Sequence, residues 1–137
     1  MWLAIGQQLH HFDGSTWAYV AQPGAELWGL AAASPSDAWA VGSSGDMLHW
    51  DGSAWTTGNQ AHALYGMWAS SATNAWVASS SGLLHCDGQT WASAPGVAGF
   101  FWNVWGTSAN NVYAVGLFNK VKHYDGAADR HHDADKR

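Results

Sequence analysis

Basic residues are missing from most of this chain, since none of the first 119 residues is a lysine or an arginine. The protein has 137 residues and a formal net charge of −5. Proteins that bind nucleic acid take most of their affinity from lysine and arginine side chains that neutralise phosphates, and anionic membranes attract the same groups. The sequence therefore argues against a nucleic-acid or membrane partner. The five basic residues lie near the carboxyl end: Lys120, Lys122, Arg130, Lys136 and Arg137.

Cysteine is nearly absent, and with Cys86 as the only one no intrachain disulfide forms and no redox compartment is indicated. No apolar run approaches the roughly 20 residues of a membrane-spanning helix. The first residues lack the basic start and long apolar stretch of a signal peptide. Localisation is therefore left open, a secreted parent protein included. Charged residues make up only 11% of the chain, which favours strands and tight turns over amphipathic helices.

The chain does contain a short sequence motif that recurs at a nearly constant spacing. HFDGSTW, HWDGSAW and HCDGQTW are three versions of it, and HYDG begins a fourth. A period of this size is typical of repeat architectures, in which each unit buries its apolar face against its neighbours. The aspartates of the four copies are separated by 38, 36 and 38 residues: Asp13, Asp51, Asp87 and Asp125.

Each repeat contains four short apolar stretches separated by Gly, Ser, Asn, Asp or Pro. The fullest copy runs LWGLAAAS, DAWAVG, MLHW and SAWTT, and each stretch has about the length of a strand. All 11 tryptophans fall at positions of this template, which indicates packing between units. We therefore predict an all-β fold, a β-propeller of four-stranded antiparallel blades, with about 3.5 blades per chain.

The repeats divide the chain unevenly into the propeller, 1–126, and a polar tail, 127–137, which we expect to be disordered. The first residues already match strand two of the template, which suggests a chain that opens inside a blade. The predicted units are a partial blade at 2–20, whole blades at 25–61 and 62–98, and a last partial blade at 99–125.

The fourteen predicted strands are not a multiple of four, so the ring has unmatched ends. The amino end supplies a fourth strand that the carboxyl end lacks, but strands two and three are then duplicated. One chain would make a cramped four-bladed ring, two chains formally give seven blades of four or eight with incomplete seams, and three could give about nine. Because an open propeller leaves an apolar face in water, we expect oligomerisation to complete the ring.

At its Asp-Gly turns the chain resembles the Asp-box, or BNR-like, family of bacterial β-propellers. The Asp-box pattern is Ser-x-Asp-x-Gly-x-Thr-Trp, whereas here aspartate and glycine are adjacent and the leading serine is absent. The resemblance implies a fold rather than an activity. Sialidases of this family use an arginine cluster and a tyrosine nucleophile, but the only arginines here are Arg130 and Arg137. No catalytic residue and no cofactor is predicted. The matching residues are Asp13, Gly14, Thr16, Trp17, Asp51, Gly52, Trp55, Asp87, Gly88, Thr90 and Trp91.

The turn aspartates and the histidines before them are the first candidates for chemistry. An aspartate before glycine accepts hydrogen bonds from amides two residues on, while glycine tolerates a positive φ. One such aspartate per blade lies on the rim, so the four are predicted to be structural turns. Histidines on separate blades do not converge on one metal ion, and we expect a structural hydrogen bond for each of them instead. These histidines are His11, His49, His85 and His123.

Residues that vary between copies near strand ends and loops are better candidates for ligand binding. Indole faces stack on sugars, but tryptophans repeated at strand positions are expected to pack between blades. The predicted ligand residues lie on the inner strands or in the loops that lead to them. They are Trp28, His62, Tyr65, Trp68 and Trp102, accompanied by Phe100 and Phe101.

Two functions from different classes fit this sequence. The first is a non-catalytic scaffold or interaction module that self-assembles, so that its partner is another copy of the chain. The alternative is a carbohydrate-binding propeller with repeated shallow sites between blades, which would make glycans the partners. No metal is predicted for either function.

Overall fold

The computed structural model describes residues 1–21 and 26–126, and every regular element in these ranges is a β-strand. Fourteen strands form four antiparallel sheets, each built from strands that follow one another in the chain. In the described ranges, no helix is long and apolar enough to cross a membrane. The predicted disorder of 127–137 lies outside the described residues.

The first and last sheets have three strands, and the two between them have four. The first sheet contains β1 (Trp2–Ile5), β2 (Gln8–Phe12) and β3 (Trp17–Ala21). The second contains β4 (Leu27–Ser34), β5 (Asp37–Gly42), β6 (Asp46–Trp50) and β7 (Trp55–Asn59). The third contains β8 (Leu64–Ser71), β9 (Asn74–Ser79), β10 (Gly82–Cys86) and β11 (Trp91–Ala98). The fourth contains β12 (Phe101–Ser108), β13 (Asn111–Gly116) and β14 (Val121–Tyr124).

These sheets are propeller blades. In the second and third sheets the spatial order of the strands is their order in the chain, which is the meander of a blade. The inner strands β4, β8 and β12 contact one another from sheet to sheet. The first sheet begins at strand two of the template, and the last one stops at strand three. The prediction of an all-β propeller with about 3.5 four-stranded blades is confirmed.

Apolar clusters fill the three gaps between successive sheets. Burying one leucine- or phenylalanine-sized side chain contributes about 1.5–3 kcal/mol, so these gaps hold the sheets together. The clusters include Leu9 and Leu27 between the first and second sheets, Trp39 and Leu64 between the second and third, and Trp76 and Phe101 between the third and fourth.

The second strand of each blade shows which faces are covered. Successive residues of a strand point to opposite faces, and all six residues of β5 are buried because a sheet lies on each side. Trp39 and Val41 pack towards the third sheet, whereas Ala40 packs towards the first. On β13 the corresponding Tyr113 and Val115 are 37% and 46% exposed. The outer faces of the first and last sheets are therefore uncovered in the described chain.

The Asp-Gly turns close the hairpins between strands three and four. In the second sheet, Asp51 Oδ1 accepts hydrogen bonds from the backbone amides of Ser53 and Ala54 at 2.8 and 2.9 Å. Gly52 has a φ of 98°, in the region that favours glycine. Turns with the same hydrogen bonds are centred on Asp13 and Asp87. These carboxylates hold their own turns together.

The turn geometry stabilises the ionised carboxylate. The backbone amides of Ala54 and Ser53 lower the pKa of Asp51 from 3.8 to about 2. The amides of Thr16 and Ser15 likewise hold the pKa of Asp13 far below its ordinary value. The hydrogen bonds of these turns are therefore strongest when the carboxylates are charged.

Replacing Asp51 with asparagine tests whether the stability that the turn contributes depends on the negative charge of the Asp51 carboxylate. Asparagine keeps an acceptor oxygen but loses the charge, so the wild type should be the more stable protein at about pH 6. Because the folded-state pKa is depressed, this advantage is present above the unfolded-state value near 3.8 and is lost as the pH falls through about 2. Urea-unfolding midpoints at several pH values, followed by tryptophan fluorescence, measure the difference.

Asp46→Asn is the control for this experiment, because it removes one carboxylate from the same strand pair without touching the turn. The Asp46→Asn values measure the effect of removing one carboxylate outside the turn, and they are subtracted from the Asp51→Asn values at each pH. A difference between the wild type and Asp51→Asn that stays constant from about pH 6 to pH 2 would contradict the prediction.

Candidate functional site

Aromatic residues occupy one template position on the inner strands of three successive blades, with Trp28 on β4, Tyr65 on β8 and Trp102 on β12. The rings of Trp28 and Tyr65 are stacked, with centroids 5.1 Å apart and planes at 15°. Tyr65 meets Trp102 at 5.2 Å and 67°. Phe100 lies against Tyr65 and Trp102, with ring centroids at 4.8 and 4.5 Å. We call these four residues the aromatic wall.

The aromatic wall is open to solvent at its two ends. Trp28 is 47% exposed and Trp102 is 50% exposed, while Tyr65 and Phe100 are half-buried between them. A contiguous exposed apolar surface is typical of binding sites. The wall therefore offers ring faces on which a ligand can pack.

Irregular strand pairing places the wall side chains. The register between the inner strand and the second strand shifts at each of the three positions. Such a bulge changes the direction in which a strand side chain points. The three shifts enclose the wall aromatics, between Leu27 and Gly29, between Leu64 and Met67, and between Phe101 and Asn103.

Glycine beside the wall allows neighbouring inner strands to approach closely. A Cβ on Gly29 would overlap the carbonyl oxygen of Tyr65 and would lie 2.8 Å from the Val41 side chain. A Cβ on Gly66 would overlap the side chain of Asn103. The spacing of β4, β8 and β12, and with it the spacing of the wall rings, depends on these two glycines.

Three of the five predicted ligand residues belong to the aromatic wall, and two do not. Trp68 packs against the cluster between the third and fourth sheets, where its ring covers Gly106. His62 is exposed in the loop before β8. Phe101 is fully buried in the same cluster. Its neighbour Phe100 joins the wall, although no aromatic residue occupies the corresponding position of the two earlier blades.

The described part of the chain is acidic as a whole, although the Lys120 ammonium lies close to the wall, beside Gly99 and next to Phe100. In the described ranges, Lys120 and Lys122 are the only lysines, and there is no arginine. The Lys120 ammonium donates a hydrogen bond to the carbonyl oxygen of Ala98 at 3.0 Å. Glu26 is exposed two residues before Trp28. The described ranges contain seven carboxylates and two lysines. The electrostatic field of this part of the chain therefore favours cations over anions.

The histidines before the turns bind within their own blades. His49 Nε2 lies 2.7 Å from Asp37 Oδ1 at the start of β5. The expected structural hydrogen bond is thus present for His49, His85 and His123, whereas the His11 ring packs against Trp2, with ring centroids 4.3 Å apart, and makes no hydrogen bond within the described ranges. The described residues contain no cluster of three His, Cys, Asp or Glu side chains that could hold a metal ion. The matching pairs are His85 with Asn74 at 2.7 Å and His123 with Asn111 at 2.8 Å.

Cys86 is enclosed in the cluster between the second and third sheets. Burial raises the pKa of its thiol, and its Sγ accepts a hydrogen bond from the backbone amide of Gly88 at 3.3 Å. A neutral, buried thiol is a poor nucleophile. Cys86 therefore fills space between the blades.

Two equivalent clefts lie between successive sheets. One of about 420 Å³, between the first and second sheets, is lined by Trp2, His11 and the end of β4. The other, of about 470 Å³ between the second and third sheets, is lined by Asp37, His49 and the end of β8. His11 and His49 share a template position, so the clefts repeat with the blades.

No protein-family model matches the chain, and the search of curated proteins gave no match. Similar solved structures include one described as YCF48 bound to D1 peptide, which is 14% identical with a TM-score of 0.69. The match covers 87% of this chain and 44% of that one. YCF48 from Cyanidioschyzon merolae is 12% identical with a TM-score of 0.63, and the match covers 81% and 42% of the two chains. The likeness shows the β-propeller fold, and the chain spans less than half the length of these structures.

Replacing Gly29 with alanine tests whether the close approach of the inner strands is required. The new methyl group would overlap the Tyr65 backbone oxygen, so we expect destabilisation by about 1–3 kcal/mol, as for other overpacked sites. The matched control is Gly58→Ala on β7, where a Cβ would meet only the Met47 oxygen, at 3.9 Å. That change should leave stability the same or slightly higher. Thermal unfolding followed by circular dichroism compares the variants, and equal midpoints for Gly29→Ala and the wild type would contradict the prediction.

Proposed function

We propose that this chain is a non-catalytic interaction module and that a second copy of the same chain is the partner that completes its ring. The observation that carries the proposal is the distribution of exposed apolar side chains. Twelve large hydrophobic residues of the described chain are exposed. Eleven of them lie in or beside the first and last sheets, among them Trp102 of the aromatic wall, and the twelfth is Trp28 of the second sheet.

The exposed residues of the terminal sheets form two patches. Cross-strand pairing puts the members of each patch on one side of their sheet. The leading face, on the first sheet, consists of Leu3, Ile5, Trp17 and Tyr19. The trailing face, on the last sheet, consists of Trp105, Tyr113 and Val115.

The two faces are opposite halves of an interface between blades. On the trailing face, Tyr113 and Val115 take the places of Trp39 and Val41, which pack towards the following sheet. On the leading face, Leu3 takes the place of Ala40, which packs towards the preceding sheet. A trailing face is therefore suited to pack on the leading face of another copy, as successive sheets pack within the chain.

Two copies are the number favoured by sheet count and length. With the terminal sheets packed face to face, two sets of four sheets give a ring of eight blades, four of which have three strands. The chain spans 44% and 42% of the two YCF48 structures, so two copies come close to the length of one such propeller. The first of these structures carries a bound peptide, an example of this fold in a protein interaction.

The groups that are capable of chemistry already have structural roles, which supports a non-catalytic module. The turn aspartates accept hydrogen bonds from their own turn amides, as Asp51 does from Ala54 at 2.9 Å. Three of the four turn histidines are paired with the first residue of strand two, as His49 is with Asp37. Cys86 is buried.

We also propose that the turn is a shortened variant of the Asp-box. It lies between strands three and four of the blade, which is where the resemblance places it. Asp51 and Gly52 supply the carboxylate acceptor and the positive φ that such a turn needs.

Oligomeric mass tests the proposed assembly. One chain weighs 14.7 kDa, and light scattering at micromolar concentration should give about twice that mass. Tyr113→Glu on the trailing face and Trp17→Glu on the leading face should each produce monomers, because a buried unpaired charge is costly. Thr56→Glu, at an exposed position of β7 in the second sheet, is the matched control and should remain a dimer.

A mixture of the two face variants tests the head-to-tail arrangement. Tyr113→Glu keeps an intact leading face and Trp17→Glu keeps an intact trailing face, so an equimolar mixture should regain one interface and show a mass above that of the monomer. A compact, stable wild-type monomer at micromolar concentration would overturn the assembly.

Carbohydrate binding in the clefts between blades is a second candidate function. It is favoured by the repetition of clefts of about 420 and 470 Å³ with a histidine in each. On a multivalent glycan array we expect weak binding that is reduced by Ala72→Trp, which fills one cleft. Ala54→Trp, at an exposed turn position, is the control. A silent array would remove this candidate.

A further inference from the structure

We propose that protonation of two histidines, His10 beside the leading face and His123 beside the trailing face, opens the ring, so that its assembly is regulated by pH. This inference rests on the proposed function, the pairing of the two faces, and adds a regulation to it. Each interface of the ring would contain one His10 and one His123, contributed by different copies. Acidification below the ordinary titration range of histidine, near about pH 6.5, would place positive charges in that interface.

The strand pairing places His10 among the residues of the leading face. His10 is the register partner of Leu3 on β1 and of Tyr19 on β3, and both of these residues belong to the face. Side chains directly opposite each other on paired strands lie on the same side of a sheet. The His10 and Tyr19 rings meet at a centroid distance of 5.8 Å, and His10 Nε2 lies 3.2 Å from Gln8 Oε1.

The whole blades carry leucine at the template position of His10. Leu48 and Leu84 precede the template histidine by one residue, as His10 precedes His11. Leu48 packs into the cluster between the first and second sheets, and Leu84 into the cluster between the second and third. They are only 2% and 9% exposed. A second copy that covers the leading face would therefore bury the His10 ring at a position that is apolar in the other gaps.

His123 lies beside the trailing face. Its ring is stacked on that of Tyr113, with centroids 4.2 Å apart and planes at 9°. Its Nε2 lies 2.8 Å from the amide oxygen of Asn111, whereas the equivalent His49 is paired with the Asp37 carboxylate. The hydrogen bond of His123 therefore brings no negative charge that would compensate a protonated ring.

His85 shows how covering affects a histidine at the template position of His123. It is also paired with a neutral side chain, Asn74. Its ring lies against Trp76, which is buried between the third and fourth sheets. Burial lowers the pKa of His85 and outweighs the opposing charge of Asp87. His123 would take up the same surroundings once a second copy covers the trailing face.

The surroundings of His10 in the assembly would be apolar. By the packing within the chain, it would meet Val115 and Val121 of the other copy, because the equivalent leucine of the second sheet packs on the corresponding residues of the first. The ionisable groups beside the leading face are the Tyr19 hydroxyl and the Met1 ammonium. Neither of them is negatively charged at neutral pH, so a protonated His10 would be buried without a countercharge.

Two turn carboxylates and one lysine are the other charged groups near the interface. Asp13 of the leading sheet accepts hydrogen bonds from the amides of its own turn. Asp125 lies two residues after His123, as the turn aspartate of the third sheet does after its histidine, where burial has the larger effect. Lys122 precedes His123, and successive residues of a strand point to opposite faces. These groups therefore leave the cost of burying a charged His123 in place.

Net charge and burial predict opposite effects of acidification. The chain has a formal net charge of −5, and protonation of histidines would reduce the repulsion between two copies. A charge buried without a partner is costly, and we expect this cost to prevail. The assembled state then binds fewer protons than the separated copies, so the affinity is fully present above the ordinary histidine value of about 6.5 and falls below it.

The dissociation constant of the ring, measured by sedimentation equilibrium as a function of pH, tests the proposal. Between about pH 8 and about pH 5.5 we expect it to rise at least about a hundredfold for the wild type, because each histidine that stays neutral in the interface contributes about tenfold at one pH unit below its ordinary value. Circular dichroism at both ends of the range checks that the chain stays folded.

Variants assign the pH dependence to the two histidines. His10→Leu supplies the residue of the whole blades, and His123→Gln keeps a neutral polar side chain. Each should reduce the rise of the dissociation constant by about tenfold or more, and the double variant should stay assembled at about pH 5.5. His62→Gln, in the exposed loop before β8, is the matched control and should keep the pH dependence of the wild type.

The outcomes separate this regulation from the assembly itself. A wild-type chain that is monomeric at about pH 8 would overturn the proposed assembly, and the regulation with it. A ring whose affinity is unchanged or higher at about pH 5.5 would overturn the regulation and leave the assembly standing. A pH dependence that persists in the double variant would overturn the roles of His10 and His123.

Discussion

Packing of one antiparallel sheet onto the next is the interaction on which the other features of this protein depend. A sheet of three or four short strands is only marginally stable by itself, and its apolar faces need a cover. All six residues of β5 are buried between two sheets, whereas β13 has one covered and one open face. The same template strand is thus part of the core or part of the surface, according to whether another sheet follows it.

Most of the fold was predictable because the chemistry of the turns is local. The Asp51 carboxylate reaches amides only two and three residues further on, so its four-residue pattern marks the hairpin between strands three and four and sets the phase of the strands in each repeat. Exposure was not predictable from that pattern. Trp68 and Trp105 share a template position, but Trp68 covers Gly106 of the next sheet while Trp105 is 56% exposed. The difference arises from the neighbouring sheet and not from either residue.

The candidate site was predictable only in part, for a related reason. Trp28, Tyr65 and Trp102 stand out because one position is aromatic in three copies. Phe100, which the sequence also indicates, joins them. Trp68 follows the register shift between Leu64 and Met67 and packs against the next sheet instead. A bulge changes which face a residue takes, and the alternation of apolar residues does not reveal it.

The terminal faces and the aromatic wall have different origins, and this determines how they act together. The faces are exposed because no further sheet covers them in the described chain, and the proposed assembly would remove them from solvent. The wall arises from glycines and bulges within the inner strands, so assembly leaves it intact. In the proposed ring of two chains, the inner strands of both copies surround one axis, and two walls line it.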